Sequence, residues 1–283
     1  MAAKINKMPP LTAMNLDMHT HIYTNFRPQA RWLEHGSRDL GWLINTLIKG
    51  NINAVGITNF EDWNYEFWTS NEQLKELPKN WNYYKDERVL AVSSNSYDSI
   101  YFFKSQEIPT EQGHVLLFGG ESGKNLPTLS LDEILSLSKE DSCLIVIASH
   151  PNSKYGLGKN LQGKSKMFDA YEFNASLSKE ENEKTIEQSK QDKVPLVSSS
   201  DSHIPSQIGK SYIRIPSYYL SFTSGKELIK SIKSSITKEK FAAYMKYSPR
   251  KFSTRHISLN LIYHFVLKKI NHNIVNPDFA KPR

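Results

Sequence analysis

The sequence predicts an α/β fold built on a parallel sheet. Two observations carry this: short apolar runs alternate with stretches of helical periodicity, and polar residues suited to metal ligation recur at the ends of those runs. A third bounds the architecture, since 283 residues make either one large α/β barrel or two ordinary domains.

The first strand is read in "NLDMHTHIYTN", from Asn15, which alternates apolar and polar residues and ends on His19 and His21. Positions i and i+2 of a strand share a face, so the two imidazoles can converge on one point, with Leu16, Met18, Thr20 and Ile22 turned the other way. By itself the pair fits a solvated strand end equally well. A helix follows in "RDLGWLINTLIKGN", where Leu40, Leu43, Ile44, Leu47 and Ile48 recur at helical spacing and Gly50 marks the stop. "INAVGITNF" is the next strand, and "RVLAVSSNS", "GHVLLFGG", "CLIVIASHP", "FDAYEFNAS" and "VPLVSSSDSH" are further ones. Helices fall between them in "SLDEILSLSKED" and in the strongly polar "SKEENEKTIEQSKQDK". The aromatic-rich stretch from about 61 to 86 reads as an insertion whose rings pack onto the main body. "GKELIKSIKSS" is a helix, and 241–283 is a basic extension with an amphipathic helix along "RHISLNLIYHFVLKKINHN".

Composition narrows the function classes. Cys143 is the single cysteine and lies in an apolar strand-like run, which rules out an intramolecular disulfide and fits a buried small hydrophobe. No run approaches the ~20 apolar residues of a membrane span, and the N-terminal stretch has no continuous apolar core, so the protein is expected to be soluble and cytoplasmic. A net charge of +7 favours an anionic partner, either nucleic acid or a phosphorylated small molecule. Neither the substrate nor the oligomeric state is specified.

The candidate ligands come from four separated segments. His19 and His21 end the first strand, His150 ends "CLIVIASH", and Asp201 and His203 follow "VPLVSSS", whereas His114 opens "GHVLLFGG". In a parallel barrel the C-terminal strand ends share one mouth, which brings such residues together. His35, His256, His264 and His272 do not follow this rule and read as surface or core residues.

The ordered set "LDMHTHI", "GHVLLFG", "IASHP", "FDAYEFN" and "SSSDSHIPSQIG" resembles the polymerase and histidinol phosphatase (PHP) family over about residues 15–215. The resemblance implies a distorted, TIM-like barrel of about seven βα units spanning 12–240, holding divalent metals such as zinc or manganese and hydrolysing phosphoesters. It assigns His19, His21 and Asp201 to a first metal, His114 and His150 to a second, and His203 to a third. Three departures stand out: Asn59 and Phe60 replace an acid and a histidine of the family's ITDH motif, Asn95 falls where a metal-bridging glutamate is expected, and Arg27 replaces a third-site ligand. The third site is accordingly expected to be empty, with Arg27 holding phosphate in its place and His203 freed to protonate a leaving oxygen. Asp201 would then be the one anionic ligand, although Glu61 and Asp62 are available nearby in the sequence. The loop after His150 carries Lys154, Lys159, Lys164 and Lys166, of which Lys154 and Lys159 are candidate substrate contacts. Two readings follow: a metal-dependent phosphoesterase, or a catalytically degenerate PHP domain that binds a phosphorylated ligand or nucleic acid.

Overall fold

The structure, a computed structural model, describes residue 5 and residues 11–22, 40–59, 64–95, 97–120 and 129–247. The chain divides into two units, Met1–Pro249 and Arg250–Arg283, and every described residue belongs to the first. The expected C-terminal helix therefore lies outside the described residues.

Described elements run in the order β1 (Ala13–Thr20), α1 (Leu40–Lys49), β2 (Ala54–Ile57), α2 (Asn64–Trp68), α3 (Asn71–Lys75), β3 (Trp81–Lys85) and β4 (Val89–Ser94). They continue with β5 (Tyr97–Thr110), β6 (Gly113–Phe118), α4 (Leu131–Glu140), β7 (Ile145–Ala148), β8 (Ala170–Asn174) and α5 (Lys179–Asp192). β9 (Leu196–Ser199), β10 (Tyr212–Pro216), α6 (Gly225–Thr237) and β11 (Ala242–Tyr244) complete the set. Local chemistry sets the helix starts: Ser130 with Glu133 and Ser178 with Glu181 form capping boxes at the heads of α4 and α5.

The sheet order is β11-β10-β1-β2-β5-β6-β7-β8-β9, with β3 and β4 added beside β5. It nearly closes into a barrel, because the chain after β9 meets the end of β1 through a bridge between Thr20 and Ser202 and a bond from His21 N to Ser202 O (2.8 Å). The sheet is mixed, which corrects the expected all-parallel arrangement. β1/β2, β2/β5, β7/β8 and β8/β9 are parallel, whereas β5/β6 and β6/β7 are antiparallel. The short turn between β5 and β6 forces that reversal, since a parallel pair needs a crossover of a dozen or more residues. The aromatic-rich stretch contains α2, α3 and also β3, which pairs with β4. β11, inside the stretch expected to be a helical extension, pairs with β10.

Alternation along the strands separates an inner from an outer layer. Leu16, Ala91, Tyr101, Phe103, Leu116, Phe118, Ile145, Ile147 and Val197 meet in one core, which α6 closes with Leu228, Ile229, Ile232 and Ile236. Phe102, Val55 and Leu90 pack outward with α1, Tyr65 and Trp68. Burying each such aliphatic side chain stabilises the fold by about 1.5–3 kcal/mol. β1 carries a register shift against β2 between Asp17 and Thr20, beside Gly56, where a Cβ would come within 2.5 Å of Met18 O. Among the described residues, no helix is long and apolar enough to cross a membrane.

Candidate metal centre

Six side chains gather into two triads: His19, His21 and Asp201 form one, and Glu107, His114 and His150 the other. The parallel strands β1 and β9 deliver the first. The second depends on the reversal, because β6 runs antiparallel to β5 and β7, so its opening residue His114 reaches the same end of the barrel as the last residues of β5 and the residues just past β7.

Glu107 joins the triads. Its Oε1 lies 3.0 Å from His114 Nδ1 and 2.9 Å from His150 Nε2, while Oε2 lies 3.4 Å from His19 Nε2 and 3.2 Å from His21 Nε2. Asp201 Oδ1 is 3.6 and 3.3 Å from the same two nitrogens, which are 3.1 Å apart. A tetrahedral shell of nitrogen and oxygen atoms ~2.0–2.2 Å from a zinc-like ion has edges of roughly 3.3–3.5 Å. His19, His21, Asp201 and Glu107 thus present a donor set of the right chemistry and spacing for one divalent cation, and the second triad offers three more donor atoms through the other oxygen of Glu107.

Buried partners orient these ligands. Glu172 Oε1 accepts from His19 Nδ1 (2.8 Å), which leaves the Nε2 lone pair facing the cage. The other oxygen of Glu172 accepts from His150 N (2.8 Å), and Ser153 Oγ meets His150 Nδ1 at 2.9 Å. Asn174 Nδ2 (3.1 Å) and Ser176 Oγ (3.0 Å) hold the outer oxygen of Asp201. His150 (φ 31°) and Asp201 (φ 49°) both adopt left-handed backbone, a strained conformation for side chains of their kind that fixed ligand sites commonly store.

Burial and charge pull against one another at this centre. Burial by itself lowers the His19 pKa, but Glu172, Glu107 and Asp201 outweigh it and hold the imidazole well above its usual value. Burial pushes Glu107 up, and the facing His19, His114 and His150 bring it well below the ordinary carboxylate range. The bond to Glu107 likewise raises His150 against its burial, and His19 lowers Glu172 against its own. Asp17 belongs to the same opening motif but serves another purpose: burial pushes its carboxyl up to about 6 while its two oxygens accept from Ser200 N (3.0 Å) and Gly209 N (2.9 Å), pinning β1 to the turn that carries Asp201.

Several sequence expectations change here. Asn95 does not supply the bridge: it is exposed in the turn between β4 and β5, and Glu107, twelve residues later, occupies the bridging position. Asp201 is therefore not the sole anion, since Glu107 and Glu172 are also buried at the centre. Asn59 is buried too, accepting from Ile22 N (3.0 Å) and so fixing the chain just past His21, which Trp68 Nε1 also holds through Ile22 O (3.1 Å). His203 belongs to neither triad; its ring lies 4.3 Å from that of His21 and its Nδ1 3.1 Å from Asp201 O. Lys154 is exposed, with Nζ 4.5 Å from the centre of the Tyr155 ring, which itself stacks on His114 at 5.6 Å. Lys159 instead lines a cavity of about 450 Å³ against α5 that includes no residue of either triad. Lys164 and Lys166 are tied to Asp132 and to the Asp192 carbonyl. Arg27, Phe60, Glu61 and Asp62 lie outside the described residues.

Two functional carboxylates escaped the sequence reading. Glu107 was detectable as the continuation of the inner face of β5, after Tyr101, Phe103 and Ser105, and Glu172 as a lone acid inside the apolar "AYEFN". An acid in such a run is a signal because glutamate is almost never fully buried unless paired.

No protein-family model matches the chain, and no curated protein does. Among solved structures it is similar to PsfC from Pseudomonas syringae PB-5123, with a TM-score of 0.59 and 13% identity over 91% of this chain and 100% of that one. It also matches, at a TM-score of 0.48 and 13% identity, a two-domain protein from Bacteroides vulgatus ATCC 8482 containing a predicted PHP-like metal-dependent phosphoesterase, over 87% of this chain and 69% of that one. At such identities the likeness to PsfC is one of fold alone, and the fold is a mixed α/β sheet curled until it nearly closes.

Proposed function

We propose that this protein is a metal-dependent phosphoesterase that hydrolyses a phosphomonoester or a nucleic-acid phosphodiester. The observation that supports this reading most directly is Glu107, which turns one carboxylate oxygen to each triad. His19, His21, Asp201 and Glu107 would hold one divalent cation, and Glu107, His114 and His150 a second, with zinc or manganese suited to imidazole and carboxylate donors. The chemistry such ions supply is polarisation of a phosphoryl oxygen and a lowered pKa for water. Three buried carboxylates, Asp201, Glu107 and Glu172, offset most of the charge of two divalent ions. The charge deficit that favoured a degenerate binding domain is thereby largely removed.

The chain's own groups then have separate tasks. Glu107 keeps the two triads at a fixed spacing, and Glu172 and Ser153 hold His19 and His150 with their Nε2 atoms inward. His203, partly exposed beside His21, would donate a proton to the departing alcohol oxygen. Lys154, over the ring of Tyr155 that stacks on His114, would supply positive charge for an anionic substrate.

The test combines elemental analysis with a phosphatase and nuclease panel on one sample supplied with Mn²⁺ or Zn²⁺. About two metals per chain and turnover that chelation stops are expected. Bound metal without turnover on either substrate class would leave a ligand-binding domain as the surviving reading.

A further inference from the structure

The outer wall formed by β10 and β11 has a composition unlike the rest of the barrel. Residues 210–219 and 238–247 together hold five basic residues (Lys210, Arg214, Lys238, Lys240 and Lys246) and five tyrosines against one acid, Glu239. The strand register explains how these are displayed. Ile213 and Ile215 point into the core, so Tyr212 and Arg214 face outward, paired across the strands with Tyr244 and Ala242. The rings of Tyr212 and Tyr244 stack at 4.7 Å and 13°, with Tyr244 43% exposed. Lower on the same wall Tyr218 is 77% exposed and within electrostatic range of Lys240. Arg214, Lys240 and Lys246 are exposed, and none makes an ion pair with a carboxylate among the described residues.

Exposed aromatic rings are costly unless they meet a partner, and unpaired cations beside them select an anionic one. Alternating tyrosines and cations on a sheet face suit a strand of nucleic acid, whose bases stack on the rings while its phosphates meet the cations. We propose that the β10–β11 wall is a binding surface for single-stranded nucleic acid, with Tyr244 as a stacking platform and Arg214, Lys240 and Lys246 as phosphate contacts. An anionic membrane is the competing partner for a basic surface. The wall fits it less well, because its exposed large hydrophobic side chains are four tyrosines and Met245 rather than a continuous aliphatic face.

No residue of this surface belongs to either triad, so the inference does not rest on the hydrolytic one. Fluorescence anisotropy of the full chain with a labelled oligo-dT of about 20 nucleotides, between about 50 and 200 mM salt, should show affinity falling steeply with salt. Tyr244→Ala should weaken binding about tenfold, the usual size of a lost base–aromatic stack. Arg214→Gln and Lys240→Gln should each flatten the log–log salt slope by about 0.7, the contribution of one phosphate on a single strand. Measured with a chelator present, so that the metal centre contributes nothing, the parent should still bind the oligonucleotide and the wall variants should still lose affinity relative to it. The proposal is overturned if the wall variants bind like the parent, if binding disappears with chelation, or if phosphatidylserine vesicles compete away the oligonucleotide while the wall variants lose vesicle binding alone.

Discussion

The two triads of the metal centre reach the same mouth by different routes. His19, His21 and Asp201 come from parallel strands, at positions where a strand end carries its ligand as the barrel rule expects. Glu107, His114 and His150 depend on a reversal: β6 runs antiparallel to both β5 and β7, so one ligand lies at the start of its strand. A motif one residue apart is legible from spacing, whereas a triad assembled by strand reversal is legible only once the pairing is known. The shared carboxylate of Glu107 makes the two depend on each other.

Glu107→Gln breaks this comparison most severely. Both triads lose their common anion, so metal content measured by elemental analysis should fall at both positions, and any metal-dependent hydrolysis should fall by more than the about 10–100-fold typical of an outer-shell change. Asp201→Asn, by contrast, should deplete the first triad and leave the second able to bind. Glu172→Gln should fall next in size. It leaves every ligand in place but loosens the hold on His19 Nδ1, and a metal titration should show affinity reduced by about 10–100-fold.

Two glycines sharpen the contrast. A Cβ at Gly156 would come within 2.3 Å of His150 O and 2.4 Å of Pro151 O, backbone atoms that cannot rotate away. Gly156→Ala should therefore displace the segment bearing His150 and cost metal at the second triad while sparing the first. A Cβ at Gly56 would meet Met18 O at 2.5 Å, so Gly56→Ala should disturb β1 and the first triad instead. Metal counts on the two variants distinguish these outcomes, and equal losses in both would show the triads to be mechanically coupled through the barrel.

Metal removal should act on stability as well as on binding. At a free metal concentration about 100 times its dissociation constant, one site adds about 2.7 kcal/mol, and a chelator should lower Tm accordingly. The Glu107→Gln variant should show a much smaller chelator effect. The smallest expected effect belongs to Asn95→Ala: the side chain is exposed in a turn, so metal content and Tm should stay close to those of the parent.

Much of this molecule was legible before its coordinates. The HxH pair is fixed by strand period, the SHP and DxH segments by their place after apolar runs, and α1, α4, α5 and α6 by periodicity and capping residues. Those are local properties, decided within a few residues of the chain. The direction of β6, the bridging place of Glu107 and the support from Glu172 are not local. Each depends on which strands become neighbours, and a glutamate in an alternating strand reads as an ordinary polar residue until the face it shares with Tyr101 and Phe103 is seen to turn inward. Tertiary structure alone decided that face, because burial of the apolar residues on β5 sets its orientation and carries Glu107 into a mouth where four histidines and the Ser149 hydroxyl offset the cost of burying its charge.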